Sequence, residues 1–196
     1  MAVKGILFNT EMVRAILDGR KTCTRRIVKP QITAHYGAQC IKPPYQPGDI
    51  LYVRETWERF ECWNCEGDER GNCPKEPKKS VLDKTCGCYM YRATDEISGD
   101  AKWHPSIHMP KEAARIWLKV TDVRVERLQD ISGEDLIKEG IDLFQSNYVR
   151  VAFNEFKNIW NSTIKKSDID RYGWDSSPWV WVIEFERCEK TQEEHK

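Results

Sequence analysis

The apolar positions change period along the chain, and each change predicts an element. Gly5-Ile-Leu-Phe-Asn9 reads as a short buried strand, and Met12, Val13, Ile16 and Leu17 then recur along one side of a helix. Thr10 is the predicted cap of that helix and Gly19 its stop. Continuation of Thr22 to Val28 as a strand puts Thr24 and Arg26 on one face and Cys23 and Arg25 on the other, with Lys21 in the turn before them. From Lys29-Pro30 to Pro47 four prolines and scattered polar residues predict a surface loop. Pro47-Gly48-Asp49 is a turn, and the β-forming run from Ile50 to Trp57 a strand.

Residues 58–88 lose this patterning and read as an insertion. The strand signal resumes at Tyr89 to Ala93, followed by an aromatic loop from Trp103 to Pro110. Ala113 to Leu128 alternates as one long strand or two. Ser132-Gly-Glu-Asp135 has the spacing of a capping box and opens a short helix that Glu139-Gly140 ends. Between Tyr148 and Ile164, Val149, Phe153, Phe156, Ile159 and Trp160 recur at helical spacing, a stripe that fits a core-facing helix. Pro178 to Glu186 alternates as a last strand, and Trp160, Trp179 and Trp181 are expected in the core. The pattern is that of one α+β domain spanning residues 1–196 with an insertion at about 58–88, and the chain of 196 residues is long enough to bury a real core.

Charge narrows the functional classes. Lysine plus arginine and aspartate plus glutamate balance at 31 each, so nucleic-acid binding would have to come from a local patch. The early chain is locally basic and the end acidic. Gly19 to Arg26 packs four cations, Arg20, Lys21, Arg25 and Arg26, with two hydroxyls, Thr22 and Thr24. A lysine, a hydroxyl and an arginine at a helix-to-strand corner can bind an anion or activate the hydroxyl for attack on a carbonyl; the same residues also fit a solvated basic turn. Arg20 and Arg25 are expected to be exposed, as phosphate contacts if the ligand is a polynucleotide. The apolar run near Met1 is too short for a signal peptide and no later segment approaches a membrane span, so a soluble cytoplasmic protein without a membrane partner is expected. Nothing signals an oligomeric state.

Five of the eight cysteines fall in the insertion. Cys62, Cys65, Cys86 and Cys88 form two close pairs that can hold a structural Zn²⁺ tetrahedrally, with Cys73 as a candidate replacement for a member of the tighter second pair. Cys23, Cys40 and Cys188 are expected to be free thiols. His104 and His108 flank Ser106 in the aromatic loop and fit a structural role or a place at a pocket.

The ordered set Gly19, Lys21, Thr24 and Arg26, then Pro47-Gly48-Asp49, then Trp181-Val-Ile-Glu-Phe185 resembles the ASCH domain family, relatives of PUA-like RNA-binding β-barrels. With Arg54-Glu-Thr-Trp57 and Pro105-Ser-Ile-His-Met-Pro110 it is similar to the larger members found in phages and prophages. The resemblance implies a β-barrel with peripheral helices, and, from small bacterial members, an amidohydrolase that removes acetyl from N4-acetylcytidine, a linear amide, without a catalytic cofactor. Carried over, the catalytic roles fall on Lys21, Thr24 and Glu139, with Glu134 competing for the third. Thr24 Oγ1 attacks, Lys21 takes its proton, Arg26 or backbone amides hold the oxyanion, and Glu139 orients Lys21 or passes a proton. Arg25, Trp57 and Trp103 complete the expected substrate contacts. A non-catalytic module for RNA or a modified nucleoside, with Trp57 or Trp103 stacking on the base, and a ribonuclease are the alternatives.

Overall fold

The computed structural model describes residues 1–32, 41–61, 87–96, 102–141 and 149–190, with residues 60, 61, 87 and 88 as backbone only. Strand β1 (Val3–Leu7) leads into helix α1 (Thr10–Leu17), and β2 (Cys23–Ile27) follows the corner. Next come β3 (Ile50–Arg54), β4 (Trp57–Glu61), β5 (Gly87–Tyr91), β6 (Trp117–Arg127), α2 (Gly133–Lys138), α3 (Val149–Ser162), α4 (Ile169–Tyr172) and β7 (Trp179–Cys188). Five strands form one sheet in the order β1-β3-β6-β7-β2. Only the β1–β3 pair is parallel; β3–β6, β6–β7 and β7–β2 are antiparallel. The architecture is α+β, as the patterning predicts.

β7 is the centre of that sheet's packing. Trp181, Ile183 and Phe185 join Ile6, Val13, Leu51 and Leu118 in one cluster. Val180 and Val182, pointing the other way, join Leu136, Phe156 and Trp160 in a second. A strand covered on both faces reads as an almost unbroken apolar run, and each such side chain contributes about 1.5–3 kcal/mol by leaving water. Trp160 and Trp181 are buried and Trp179 packs against the first cluster from a half-buried position.

The structure corrects several expectations. Asn9, not Thr10, caps α1: its Oδ1 accepts from the Met12 amide at 2.8 Å, and Thr10 is already helical. The strand expected from Ile50 to Trp57 ends at Arg54, whose guanidinium donates to the carbonyls of Ile107 and Met109. Glu55 then turns inward to accept Arg115 Nε and Nη2 at 2.9 Å each, and Trp57 starts a separate hairpin in which β4 pairs antiparallel with β5. The two ends of the cysteine-bearing segment are thus the stem of a hairpin rather than loose ends. The long strand begins at Trp117, behind a 3-10 turn at Lys111–Ala113, and slips register between Val120 and Asp122. Among the described residues the expected barrel is an open sheet, with β1 and β2 as its edges. Those edges curl within side-chain reach: Arg26 Nη2 of β2 donates to the Leu7 carbonyl of β1 at 2.9 Å.

Candidate active site

The basic corner is built by two glycines. Gly19, at φ +75°, reverses the chain after α1 so that the Arg20 and Lys21 amides both donate to Ala15 O at 2.9 Å. Gly140, at φ +94°, does the same after α2, and a Cβ there would lie 2.8 Å from Ala15 Cβ and 3.2 Å from Lys21 Cβ. The end of α2 therefore meets the corner at van der Waals distance, and the Thr22 amide ties them by donating to Lys138 O at 2.8 Å. At its other end α2 is fixed by the reciprocal capping box of Ser132 and Asp135 that the spacing predicts.

This docking delivers Glu139, the C-cap of α2, to Lys21. Lys21 Nζ donates to Glu139 Oε2 at 2.6 Å and to Glu139 O at 2.9 Å, and the lysine side chain has no solvent exposure. Burial pulls the Lys21 pKa below its usual value; the charge and hydrogen bond of Glu139 oppose that, and Arg26 adds to it. The amine faces the Phe8 ring, 5.8 Å from its centroid, as does the Arg26 guanidinium at 5.3 Å. Burial pushes the Cys23 thiol up to about 12, so a thiolate is unavailable at this corner near neutral pH. Glu134, the competing carboxylate, is exposed on α2 away from this pair.

Thr24, Arg25, Arg26 and Glu139 line one cleft with Met12 of α1, Phe156, Ile159 and Trp160 of α3, and Thr163 just past the end of α3. The free volume is about 30 Å³, space for about one or two water molecules. The rim must part before a pyrimidine ring can enter.

Arg25 corrects the sequence reading. Expected to be exposed, it is buried, because alternation along β2 turns it beneath α2 and β6, where Glu126, Asp135 and Glu139 lie within 3.2–3.4 Å of its terminal nitrogens. Three carboxylates offset the cost of desolvating one guanidinium. Arg20 is exposed as expected and donates to Gly140 O and Asp18.

The structure brings Lys21, Thr24, Arg25, Arg26 and Glu139 together, and does not bring Trp57 or Trp103 to them. Trp57 packs against Tyr89 and His104, with ring centroids 5.7 and 5.2 Å away, in a separate cluster around Met109 and Trp117. Trp103 is half-buried in the neighbouring loop and lines no part of the cleft. The cleft's aromatics are Phe156 and Trp160, which the helical stripe marks as core; the stripe carries no sign that its edge borders the catalytic-type residues. His104 Nε2 lies 3.5 Å from Glu58 Oε1, and His108 is exposed. Cys23 and Cys188 are free. Cys40, Cys62, Cys65, Cys73 and Cys86 lie outside the described residues, as does the side chain of Cys88, so the zinc set stays a reading of the sequence. No helix among the described residues is long and apolar enough to cross a membrane.

No family model matches the chain, and no curated protein does. Among solved structures, the chain is similar to the crystal structure of an ASCH domain from Lactobacillus crispatus JV V101, at 11% identity over 95% of this chain and 79% of that one, with a TM-score of 0.40.

Proposed function

We propose that the cleft is an amidohydrolase centre that removes an acyl group from the exocyclic amine of a modified cytidine, N4-acetylcytidine being the substrate that the sequence motifs suggest. The observation that carries this reading is the pairing of a fully buried lysine, Lys21, at 2.6 Å with the carboxylate of Glu139, a residue that lines one cleft together with Thr24. A desolvated lysine is a far better base near neutrality than a solvated one, and perturbed buried groups in clefts mark catalytic sites.

The chemistry follows from the residues. Lys21 takes the proton of Thr24 Oγ1 as that oxygen attacks the acetyl carbon; Arg26 stabilises the oxyanion; the C–N bond breaks as Lys21 returns the proton to the N4 leaving group. Water, deprotonated by Lys21, then cleaves the acyl-threonine to acetate and regenerates the hydroxyl. Glu139 holds the amine in place throughout. Purified protein incubated with N4-acetylcytidine should yield cytidine and acetate by chromatography, and Lys21→Ala, Thr24→Ala and Glu139→Ala should each lower turnover by at least about 100-fold. An inert wild type removes the reading.

A second reading, binding of RNA with or without turnover, is favoured by cations at the same end of the molecule. Trp160, in the cleft wall, donates through Nε1 to Tyr172 O at 2.8 Å. The Tyr172 ring has Lys29 Nζ 5.2 Å and Arg171 Cζ 5.1 Å from its centroid. Lys165 and Lys166 follow shortly after Thr163 of the cleft. All four cations are exposed, and none makes an ion pair with a carboxylate among the described residues.

A further inference from the structure

The carboxylate that holds Lys21 is shared. Its Oε2 takes Lys21, while its Oε1 lies 3.2 Å from Arg25 Nη1. Arg25 Nη2 is itself 3.2 Å from Asp135 Oδ2 and 3.4 Å from Glu126 Oε2. Those two carboxylates face outward to Arg124, at 4.0 and 2.5 Å, and Arg124 also reaches Glu184 at 2.7 Å and Asp122 at 3.1 Å. Alternating charges therefore run from an amine with no exposure, through an arginine side chain 1% exposed, to an arginine 34% exposed.

We propose that Arg25 is the positioning residue of this site: it fixes Glu139 by the oxygen that Lys21 does not use, and with Glu126 and Asp135 behind it sets how readily Lys21 gives up its proton. The functional meaning of this coupling rests on the amidohydrolase reading, whereas the coupling itself does not. A lone Lys21–Glu139 pair would hold its proton tightly, because the whole carboxylate charge would act on one amine. A fixed cation on the far oxygen divides that charge and favours the neutral amine. Glu126 and Asp135 act in the opposite sense, by partly cancelling Arg25. The other groups facing Lys21 are Arg26 and Cys23 from β2 and the Phe8 ring; Arg26 favours the neutral amine, and Cys23, whose thiol burial pushes up to about 12, acts weakly in the opposite sense. Because lysine and glutamate titrate as a coupled pair, removing one fixed positive charge beside them raises both of the pair's apparent values, and removing a negative charge lowers both.

The test needs no substrate. The full chain labelled with ¹³Cε-lysine is titrated by NMR, the Lys21 resonance being assigned by its loss in Lys21→Met. Arg25→Gln should raise the Lys21 midpoint by about one pH unit or more, Arg25→Lys should restore it toward wild type, and Glu126→Gln should lower it. Opposite shifts from two neighbouring substitutions are the signature of charge coupling; merely loosened packing would hydrate the amine and raise the midpoint in both. An unchanged or lowered midpoint in Arg25→Gln, or a raised or unmoved one in Glu126→Gln, overturns the proposal. If Arg25→Gln fails to fold, Glu126→Gln, at a side chain 24% exposed, decides alone. A protein inert toward N4-acetylcytidine that nonetheless shows the opposite shifts would sink the catalytic reading and sustain this one.

Discussion

At the scale of the residue, Lys21 makes the pH dependence of stability a direct reporter of the site. Burial lowers its pKa in the folded chain below the 10.5 of an exposed lysine. Between the lowered value and 10.5 the unfolded chain therefore binds more protons than the folded one, and the lysine's contribution to stability rises with pH across that window, by up to about 1.4 kcal/mol per unit. Below the window both states are protonated and the contribution is flat. Lys21→Met removes this slope. Urea unfolding of wild type and variant from neutral to alkaline pH should show the difference in stability moving in favour of the wild type as pH rises; parallel curves would mean that Glu139 offsets the whole effect of burial and the amine binds its proton as tightly in the fold as out of it. The identities of Lys21 and Thr24 were legible in the motif, and Glu139 was legible only as one of two carboxylates on one helix. Arg25 was misread because alternation along a strand says which residues share a face and nothing about what covers the other face. What covers it is α2, more than a hundred residues downstream.

At the scale of the element, the site depends on how closely α2 approaches the corner, and Gly140 sets that distance. It combines a left-handed φ with a position at which a Cβ would sit 2.8 Å from Ala15 Cβ, so Gly140→Ala incurs both backbone strain and a forced separation of Glu139 from Lys21. A loss of about 1–3 kcal/mol is expected in denaturant unfolding. Gly133→Ala, in the first turn of the same helix with nothing within 4 Å of the added Cβ, should be neutral or stabilising by up to about 1 kcal/mol. Equal effects would refute the close-approach account. The sequence announced Gly140 as a helix stop, which is correct, but its steric role depends on a tertiary contact with α1 that no local pattern encodes. The same limit explains the strand expected to run to Trp57: its β propensity continues past Arg54, while the inward turn of Glu55 is dictated by Arg115, sixty residues away.

At the scale of the whole molecule, net charge and local charge point to different partners, and salt dependence separates them. Lysine plus arginine and aspartate plus glutamate number 31 each, so the chain as a whole exerts little pull on a polyanion. The acidic groups are not evenly spread, however. Glu126, Asp135 and Glu184 are engaged in the ladder with Arg25 and Arg124; among the described residues, Lys29 and Arg171 against the Tyr172 ring, and Lys165 and Lys166 shortly after Thr163 in the chain, make no ion pair with a carboxylate. Asp168 and Asp170 lie between them in sequence and weaken the patch without cancelling it. If a cytidine enters the cleft as part of an RNA strand, its flanking phosphates should meet these cations, and the logarithm of the binding constant should fall linearly with the logarithm of salt concentration, with a slope of about −0.7 for each phosphate neutralised on a single strand. Fluorescence anisotropy with a short acetylcytidine-containing RNA should give a slope that becomes shallower by about that amount in Lys29→Ala and again in Arg171→Ala. A free nucleoside carries no phosphate and should bind with almost no salt dependence. A flat profile for the oligonucleotide would confine the substrate to the nucleoside, and a slope unaffected by either substitution would place the phosphates elsewhere on the surface.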